Sequence, residues 1–171
     1  FIKAILDAGG VDTLDFNNFS KSQIISLVDG EYSTTGFDVN WHLVDNLGIA
    51  FNAIIENAKG GFGADSITGN KYKNVLQGNG GNDTIDGGAD YDIAIYSGNF
   101  SDYAFTIANK TVTVTDNRSS TNDGMDTLSN IEKLTFADQN ALVTSKEIKA
   151  INSLGFQSEK VYVGNSDTYK F

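Results

Sequence analysis

Residues 60–95 decide the fold of this chain and read as four blocks of nine: GGFGADSIT, GNKYKNVLQ, GNGGNDTID and GGADYDIAI. Every block begins with glycine, carries Asp or Asn at its sixth position and has an aliphatic residue at its eighth. Glycine is concentrated here, since half of the chain's 18 glycines lie between residues 60 and 88. A fixed period of this kind predicts a solenoid, in which each repeat packs against its neighbours.

Each block predicts a glycine-rich turn followed by a strand of three residues. The middle residue of such a strand is the one that points inward, so it has to be aliphatic. The turn needs backbone angles that glycine reaches at low cost, and it exposes carbonyl oxygens inward beside the Asp of the sixth position. Ca²⁺ prefers about six to eight oxygen ligands in irregular geometry. The blocks match GGxGxDxUx, the calcium-binding repeat of RTX proteins, and predict an all-β fold built on a short parallel β-roll.

A parallel roll uses two blocks per coil, so turns 18 residues apart stack on the same edge. Blocks one and three form the first predicted pair of turns, and blocks two and four form the second. The second pair is the weaker, because Asn74 replaces Asp, and Tyr72 and Asp90 stand where a glycine is expected. The candidate calcium ligands of the roll, as side chains or backbone carbonyls, are Gly61, Gly63, Asp65, Asn74, Gly78, Gly80, Asp83, Gly87, Ala89 and Asp92.

Composition limits the partners of this chain. Its 171 residues include 12 Lys and Arg against 22 Asp and Glu, which gives a net charge of −10 and a pI near 4.3. Such a charge repels phosphate backbones and anionic lipid, so we expect no nucleic-acid partner and no binding to membrane surfaces. The hydrophobic share of 40% is enough for a packed core. No apolar run reaches the roughly 18 residues that a membrane span needs.

The sequence does not indicate catalysis. The chain has no cysteine, which excludes thiolate nucleophiles and cysteine-ligated zinc. Its single histidine, His42, excludes an HExxH zinc helix, and we interpret it as an ordinary histidine beside Trp41. The chain begins at Phe1 and shows no signal peptide, so we expect it to be a piece of a longer protein.

Two segments before the repeats resemble a known family. Residues 7–16 read DAGGVDTLDF, and residues 55–61 read IENAKGG. From Ile5 to about Ile95 the chain resembles the C-terminal calcium-binding domain of serralysin-type secreted metalloproteases. This resemblance implies one further calcium ion outside the roll, and so about three ions in all. The implied ligands of that further ion are Asp7, Asp12 and Glu56, with the backbones of Gly9, Gly10 and Ile54.

The second half of the chain departs from that family and resembles the endings of other RTX exoproteins, at residues 96–103 and 126–138. Apolar residues alternate over 103–107 and 112–114, which predicts two half-buried strands joined near Asn109-Lys110. We expect this antiparallel hairpin to cap the open end of the roll, as solenoids require.

A short helix is predicted over residues 144–155. Thr144 is its N-cap, Glu147 is the capping-box partner three residues later, and Gly155 ends it. Apolar residues recur between these signals at helical spacing, on one side, at Ile148, Ile151 and Leu154.

Together these patterns predict a non-catalytic calcium-binding module. We expect its two parts, residues 1–95 with the roll and residues 96–171 with the cap and tail, to form one continuous domain. The resemblance implies a bacterial protein exported by a type I secretion apparatus, with its export signal within 140–171. Calcium outside the cell would then fold the module, which would support a passenger domain in cis, namely a serralysin-like zinc metalloprotease.

Two other functions stay open from the sequence. The module could belong to an RTX adhesin or surface-layer protein and bind a peptide or glycan through aromatic side chains. A carbohydrate-active enzyme would need a cleft with paired carboxylates, but the acidic residues are better explained as calcium ligands. The aromatic candidates for a ligand surface are Trp41, Tyr91, Tyr96, Tyr103 and Phe105.

Overall fold

The structure is a computed structural model that describes residues 3–36, 45–120, 123–144, 147–151 and 157–162. For the last two segments it describes the backbone and, of the side chains, Ile148. The strands in chain order are β1 Lys3–Ile5, β2 Thr13–Asp15, β3 Ile24–Ser26, β4 Tyr32–Ser33, β5 Leu47–Ile49, β6 Asn57–Lys59, β7 Ser66–Thr68, β8 Val75–Gln77, β9 Thr84–Asp86, β10 Ile93–Ile95, β11 Tyr103–Ala108, β12 Thr111–Asp116, β13 Met125–Ser129, β14 Lys133–Thr135, β15 Asn140–Val143, β16 Glu147–Ile151 and β17 Gln157–Tyr162.

Short parallel strands form two stacks that share one core. One stack has the order β2, β6, β8, β10 and β14, and the other has β3, β7, β9 and β13. The chain alternates between the stacks, so two successive strands with their turns complete one coil. This arrangement confirms the predicted all-β fold with a parallel β-roll.

The inside of the roll is a double row of aliphatic side chains. Each strand from β6 to β10 contributes its middle residue, as predicted for the eighth position of the repeat. Full burial of a Leu or Ile side chain stabilises the fold by about 1.5–3 kcal/mol. The row of one stack is Ile25, Ile67, Ile85 and Leu128, and the row of the other is Ala58, Leu76, Ala94 and Leu134, all at most 1% exposed.

The roll extends beyond the four nine-residue blocks. Ile67 pairs with Ile85 in the predicted 18-residue register, but Ile85 then pairs with Leu128, far along the chain. On the other side, Ile25 pairs with Ile67. The roll therefore runs from Thr13 to Thr135 and is interrupted by two insertions. The first insertion contains β4 and β5, which form a small sheet with β1, and the second contains β11 and β12.

The second insertion is the predicted antiparallel hairpin. β11 pairs with β12 from Tyr103↔Asp116 to Ala108↔Thr111. Asn109 and Lys110 have φ of 51° and 69°, and positive φ at both central residues makes the two-residue turn that matches the twist of a hairpin. β12 also pairs with β13, so the hairpin continues one stack of the roll. Its role as a cap for the open end stays a prediction.

A polar network closes the base of this insertion. Arg118 lies 2.6 Å from the buried carboxylate of Asp116 and 3.2 Å from Asp123 (Nη2 to Oδ2 in both). The Asp123 carboxylate in turn accepts hydrogen bonds from the hydroxyls of Ser97, at 2.7 Å, and Tyr103, at 2.6 Å. Charge-assisted bonds of this kind are stronger than neutral ones. They hold the end of the hairpin against the start of the insertion.

The predicted helix over residues 144–155 is wrong where the structure describes it. Residues 147–151 form β16, which pairs antiparallel with β15 and β17. Ile148 pairs with Val143 and is buried. The reason is that an isolated helix of about 12 residues is marginal in water, whereas the edge of β15 offers unpaired backbone groups. Residues 145–146, 152–156 and 163–171 lie outside the described residues.

Close stacking of coils makes one glycine outside the repeats essential. Gly124 has φ of +92°, and a Cβ built on it would overlap the carbonyl oxygen of Gly81 in the preceding coil. We expect Gly124→Ala to lower the free energy of unfolding by more than the strain of positive φ alone, which is about 1–2 kcal/mol. Chemical denaturation in calcium measures this loss.

Gly36→Ala is the matched control. Gly36 has φ of +81°, but the nearest atom to its added Cβ is a ring carbon of Phe19 at 3.5 Å. Gly36→Ala should therefore lower the free energy of unfolding only by the strain of positive φ. Equal losses in the two variants would show that the contact between Gly81 and Gly124 does not hold the last coil.

Candidate metal centre

The sixth-position side chains of the first and third blocks, Asp65 and Asp83, stack along one edge of the roll and are joined by hydrogen bonds. Gln23 N donates to Asp65 Oδ1 at 2.7 Å, and Asp65 N donates to Asp83 Oδ1 at 2.8 Å. Asp83 N donates to Asp126 Oδ1 at 2.9 Å. Each carboxylate thus accepts the N–H of the equivalent residue in the preceding coil. We call this series the first carboxylate ladder.

The opposite edge carries a second carboxylate ladder. Asp12 N donates to Glu56 Oε2 at 2.8 Å, and Asn74 N donates to Asp92 Oδ1 at 2.7 Å. Asp92 N then donates to Glu132 Oε2 at 2.7 Å. The two ladders place every sixth-position residue of the four blocks, as predicted, at stacked turns 18 residues apart.

Burial makes these carboxyl groups hard to ionise together. Burial, together with the nearby charges of Asp126, Asp65 and Asp123, raises the pKa of Asp83 to about 8, although the hydrogen bond from Asp65 N acts to lower it. Burial also raises the pKa of Asp126 to about 7 and that of Asp92 to about 6. A cation placed among them would favour the ionised form of each.

Buried oxygen atoms without a hydrogen-bond partner mark where such a cation fits. Asp83 and Asp92 are 1% and 0% exposed, and Oδ2 of each has no partner. The Oδ2 atom of Asp12 is also buried and has no hydrogen-bond partner. Oxygen is the ligand atom that Ca²⁺ prefers, and an unpaired buried carboxylate oxygen is costly without one.

The glycines of the turns leave room for these oxygens. A Cβ on Gly78 would overlap the Asp83 carboxylate, and a Cβ on Gly60 would overlap that of Asp65 and lie 2.6 Å from the Gly78 carbonyl oxygen. Gly61 O accepts a hydrogen bond from Gly80 N at 3.0 Å. A carbonyl oxygen has two lone pairs, so the second one is available to a cation.

The remaining predicted turn residues also meet their stacked partners. Gly63 O lies against Gly81, and Gly87 O lies against Gly69. Ala89 N donates to Asn70 O at 3.0 Å. The turns are therefore paired as predicted, while their occupation by calcium stays a prediction.

A further group of carboxylates forms where the second ladder begins, outside the four nine-residue blocks. Asp7 accepts hydrogen bonds from Gly9 N at 2.9 Å and from Ile54 N at 3.5 Å, and Asp12 is joined to Glu56 through its N–H. Burial and the charges of Asp7 and Glu56 raise the pKa of Asp12, whereas the Gly9 N–H lowers that of Asp7. The chain thus brings together three carboxylates that lie up to 49 residues apart in sequence.

The turn between Asp7 and Asp12 depends on glycine. Gly9 and Gly10 have φ of +104° and +143°, and a Cβ on Gly10 would lie 3.3 Å from Asp12 Oδ2. Within the described residues, no three Asp, Glu or His side chains are arranged so that they could hold an ion by themselves. An ion at any of these places would also need backbone carbonyl oxygens, which glycine turns supply.

Sequence reasoning missed two members of the ladders, Asp126 and Glu132. A signal was present, because Asp126-Thr-Leu-Ser repeats the pattern of Asp83-Thr-Ile-Asp at the strand that stacks on it. The hairpin insertion makes this signal hard to recognise, because it breaks the 18-residue register. Asp126 follows Asp83 by 43 residues, and Glu132 follows Asp92 by 40.

The aromatic candidates for a ligand surface are mostly core residues. Tyr96 and Tyr103 are 5% and 6% exposed, and their ring centroids lie 5.2 Å apart. Both pack on Phe136, at 5.5 Å and 5.1 Å, and Phe105 packs on it at 5.8 Å. Their burial disfavours the adhesin alternative. Trp41 and His42 lie outside the described residues.

A comparison with known families now separates the alternatives. The family model described as Peptidase M10 serralysin C terminal matches residues 1–168. The chain belongs to this family. Membership in the serralysin C-terminal family confirms the predicted resemblance and, with it, the assignment to secreted, extracellular proteins. The expectation that the second half of the chain departs from this family is wrong, because the match continues to residue 168.

Individual relatives are similar to part of the chain. A serralysin of Proteus mirabilis is 45% identical over 75 residues, which cover 44% of this chain and 14% of that protein. Metallopeptidase AprA of Pseudomonas marginalis is 46% identical over 74 residues, or 43% of this chain and 14% of that protein. Serralysin G of Dickeya chrysanthemi is 44% identical over 75 residues, which cover 44% of this chain and 15% of that protein. The match covers about one seventh of each relative.

The match concerns the C-terminal part of serralysins and not their catalytic part. In the described part of the chain, no helix is long and apolar enough to cross a membrane.

Asp126 belongs to the first ladder but lies outside the nine-residue repeats, so its substitution tests the ladder. Asp126→Ala leaves the buried N–H of Asp83 without an acceptor, so we expect a loss of about 1–3 kcal/mol in unfolding free energy. Asp126→Asn keeps an acceptor oxygen and should lose clearly less. Denaturation of both variants in calcium gives the comparison, and equal losses would mean that this hydrogen bond does not stabilise the last coil.

Proposed function

We propose that this chain is a non-catalytic calcium-binding module whose folding is driven by calcium. The observation that carries this proposal is the pair of buried carboxylate oxygens of Asp83 and Asp92, which have no hydrogen-bond partner at turns whose glycines leave room for them. The membership of the chain in the serralysin C-terminal family supports it.

Calcium would supply the positive charge that these acidic turns lack. We propose about three ions, two at the stacked turns and one outside the roll. The proposed ligands in the roll are Gly61, Gly63, Asp65, Asn74, Gly78, Gly80, Asp83, Gly87, Ala89 and Asp92, and those outside it are Asp7, Gly9, Gly10, Asp12, Ile54 and Glu56.

Two properties of the chain couple ion binding to folding. Its glycine-rich turns lose much conformational freedom when they become ordered. Its ladders bring carboxylates close together, and burial raises the pKa of Asp83 and Asp126. Both effects oppose folding in the absence of the ion, so the binding free energy of the ion becomes folding free energy.

This coupling suits export from the cell. Extracellular calcium modules bind with dissociation constants of about 10⁻⁴–10⁻³ M, which lie far above cytosolic calcium levels. Inside the cell the chain would therefore stay unfolded and could pass through a type I secretion apparatus. It would fold in the medium, where calcium is available. The folded roll would then support a passenger domain in cis, which we propose to be a serralysin-like zinc metalloprotease because the relatives include serralysins and a metallopeptidase.

The switch predicts a large change in structure on addition of calcium. We expect the isolated chain to gain β-structure and a cooperative thermal transition in millimolar calcium, and magnesium to fail as a substitute because it demands near-octahedral geometry. Circular dichroism in chelator, in calcium and in magnesium measures this. Identical spectra in chelator and calcium would contradict the proposed mechanism.

The site outside the roll predicts non-additive mutations. If Asp12 and Glu56 share one ion, Asp12→Asn and Glu56→Gln should each remove the same bound calcium, and the double variant should lose little more than either. Calorimetric titration gives the stoichiometry, and a double-mutant cycle gives the coupling. Additive losses of stability with an unchanged number of ions would show that the two residues support separate turns.

A further inference from the structure

The edge strand β11 lacks the protection that the other edges of the two large sheets have. β2 is short and its Asp15 pairs with Lys59 at 3.6 Å, and β3 is bridged to Thr34. β17 carries the charged residues Glu159 and Lys160. β11 has six residues, YAFTIA, without a charge or a proline. An edge of this kind favours pairing with a further strand.

The open edge of β11 presents backbone groups of two half-buried residues. The two-residue turn of the hairpin makes Ala108↔Thr111 a hydrogen-bonded pair, and such pairs alternate along an antiparallel ladder. Thr106 therefore also bonds to β12, whereas the N–H and C=O groups of Phe105 and Ile107 point to the open edge. Among the described strands, β11 pairs with β12 alone.

The sheet that ends in β11 is one strand shorter than the sheet that faces it. Beyond β13 and β14, which form the last coil, one sheet continues through β15, β16 and β17, and the other through β12 and β11. Ile107 and Val112 of one sheet line the same pocket as Val143 of the other, so the sheets face each other here. No described strand occupies the place beside β11 and opposite β17.

The pocket lies at the end of β11 that leads into the hairpin turn. Its volume is about 220 Å³. Pockets that bind small molecules usually measure about 300–1,000 Å³, so this one is suited to a single large side chain. Its apolar lining residues are Ile107, Val112, Leu128, Ile131 and Val143, and Lys110 also lines it.

β17 ends at the same end of the sandwich. Val143 lines the pocket and pairs with Ile148. The preceding residue, Glu147, pairs with Tyr162, the last residue of β17. Two strand spacings amount to about 10 Å. The chain therefore leaves β17 close to the pocket.

The segment that follows β17 has the sequence of a turn and a strand. Residues 163–171 read VGNSDTYKF. The run from Gly164 to Asp167 consists of residues typical of turns, and residues 168–171 alternate between polar and apolar, as in a half-buried strand. Residues 163–167 span about 17 Å when extended, and packed sheets lie about 10 Å apart. They are long enough to cross from β17 to the other sheet.

We propose that residues 168–171 pair with the open edge of β11 and close the sandwich at its C-terminal end. β11 runs towards the pocket and the added strand begins beside it, so the two strands are antiparallel. Tyr169 fills the pocket, and Phe171 packs on Phe105. The added strand also removes an edge that could pair with other chains. This inference goes beyond the proposed function and does not depend on the calcium ligands.

Amide hydrogen exchange, followed by NMR on the full chain in calcium, tests the added strand. We expect the N–H groups of Phe105 and Ile107 to be protected, and removal of residues 163–171 to speed their exchange by about tenfold or more. The N–H of Thr106, which bonds to β12, is the internal control and should change little. Fast exchange at Phe105 and Ile107 in the full chain, or equal protection without residues 163–171, would overturn the inference.

Tyr169→Ala is the second variant and decides if the shortened chain does not fold. It should speed exchange at Phe105 and Ile107, whereas Tyr72→Ala, at a tyrosine that is 39% exposed on the roll, should not. Equal effects of the two variants would refute the proposed strand. Exchange and light scattering at several protein concentrations test for a second copy of the chain on this edge. Protection that rises together with dimer formation would assign the edge to that copy and would likewise overturn the inference.

Discussion

A backbone N–H donated to a buried carboxylate one coil further along the chain is the interaction on which the rest of this structure depends. In the step from Asp65 to Asp83 it aligns neighbouring coils and fixes the register of their strands. The same bond draws like charges into an interior with little water. Burial of Asp83 and Asp126 raises the pKa of each. Alignment of the coils and demand for a cation therefore have a single origin.

The hydrophobic core follows from the same geometry. Strands of three residues leave one inward side chain each, so the core is a narrow double row, seen at Ile67 and Leu76. A row of this width buries little apolar surface per residue compared with a thick sandwich. Stability must then come largely from the turns, where glycine permits close approach and carboxylates provide oxygen.

Much of the fold could be predicted from residues 60–95, because period nine and its 18-residue stacking are local properties of the sequence. The hairpin could be predicted too, from alternation on both sides of Asn109-Lys110. The last coil could not, because an insertion separates Asp126 from Asp83 and its turn lacks the glycine pattern. The helix was wrong since residues 147–151 pair with a neighbouring edge that the sequence does not reveal. The contact of Asp12 with Glu56, 44 residues apart, was reached only through the family resemblance.

The stacking of Leu128 on Ile85 across an inserted hairpin shows that the roll tolerates additions at its turns. Strand spacing is set by contacts between coils and not by the length of chain that connects them. Evolution can therefore graft new segments onto such a scaffold without redesigning its interior. For protein engineering, the hairpin tip is a natural point for a foreign epitope or binding loop, provided that the bond from Asp83 to Asp126 and the approach of Gly81 to Gly124 are kept. A module of this kind would present its cargo only where calcium is plentiful.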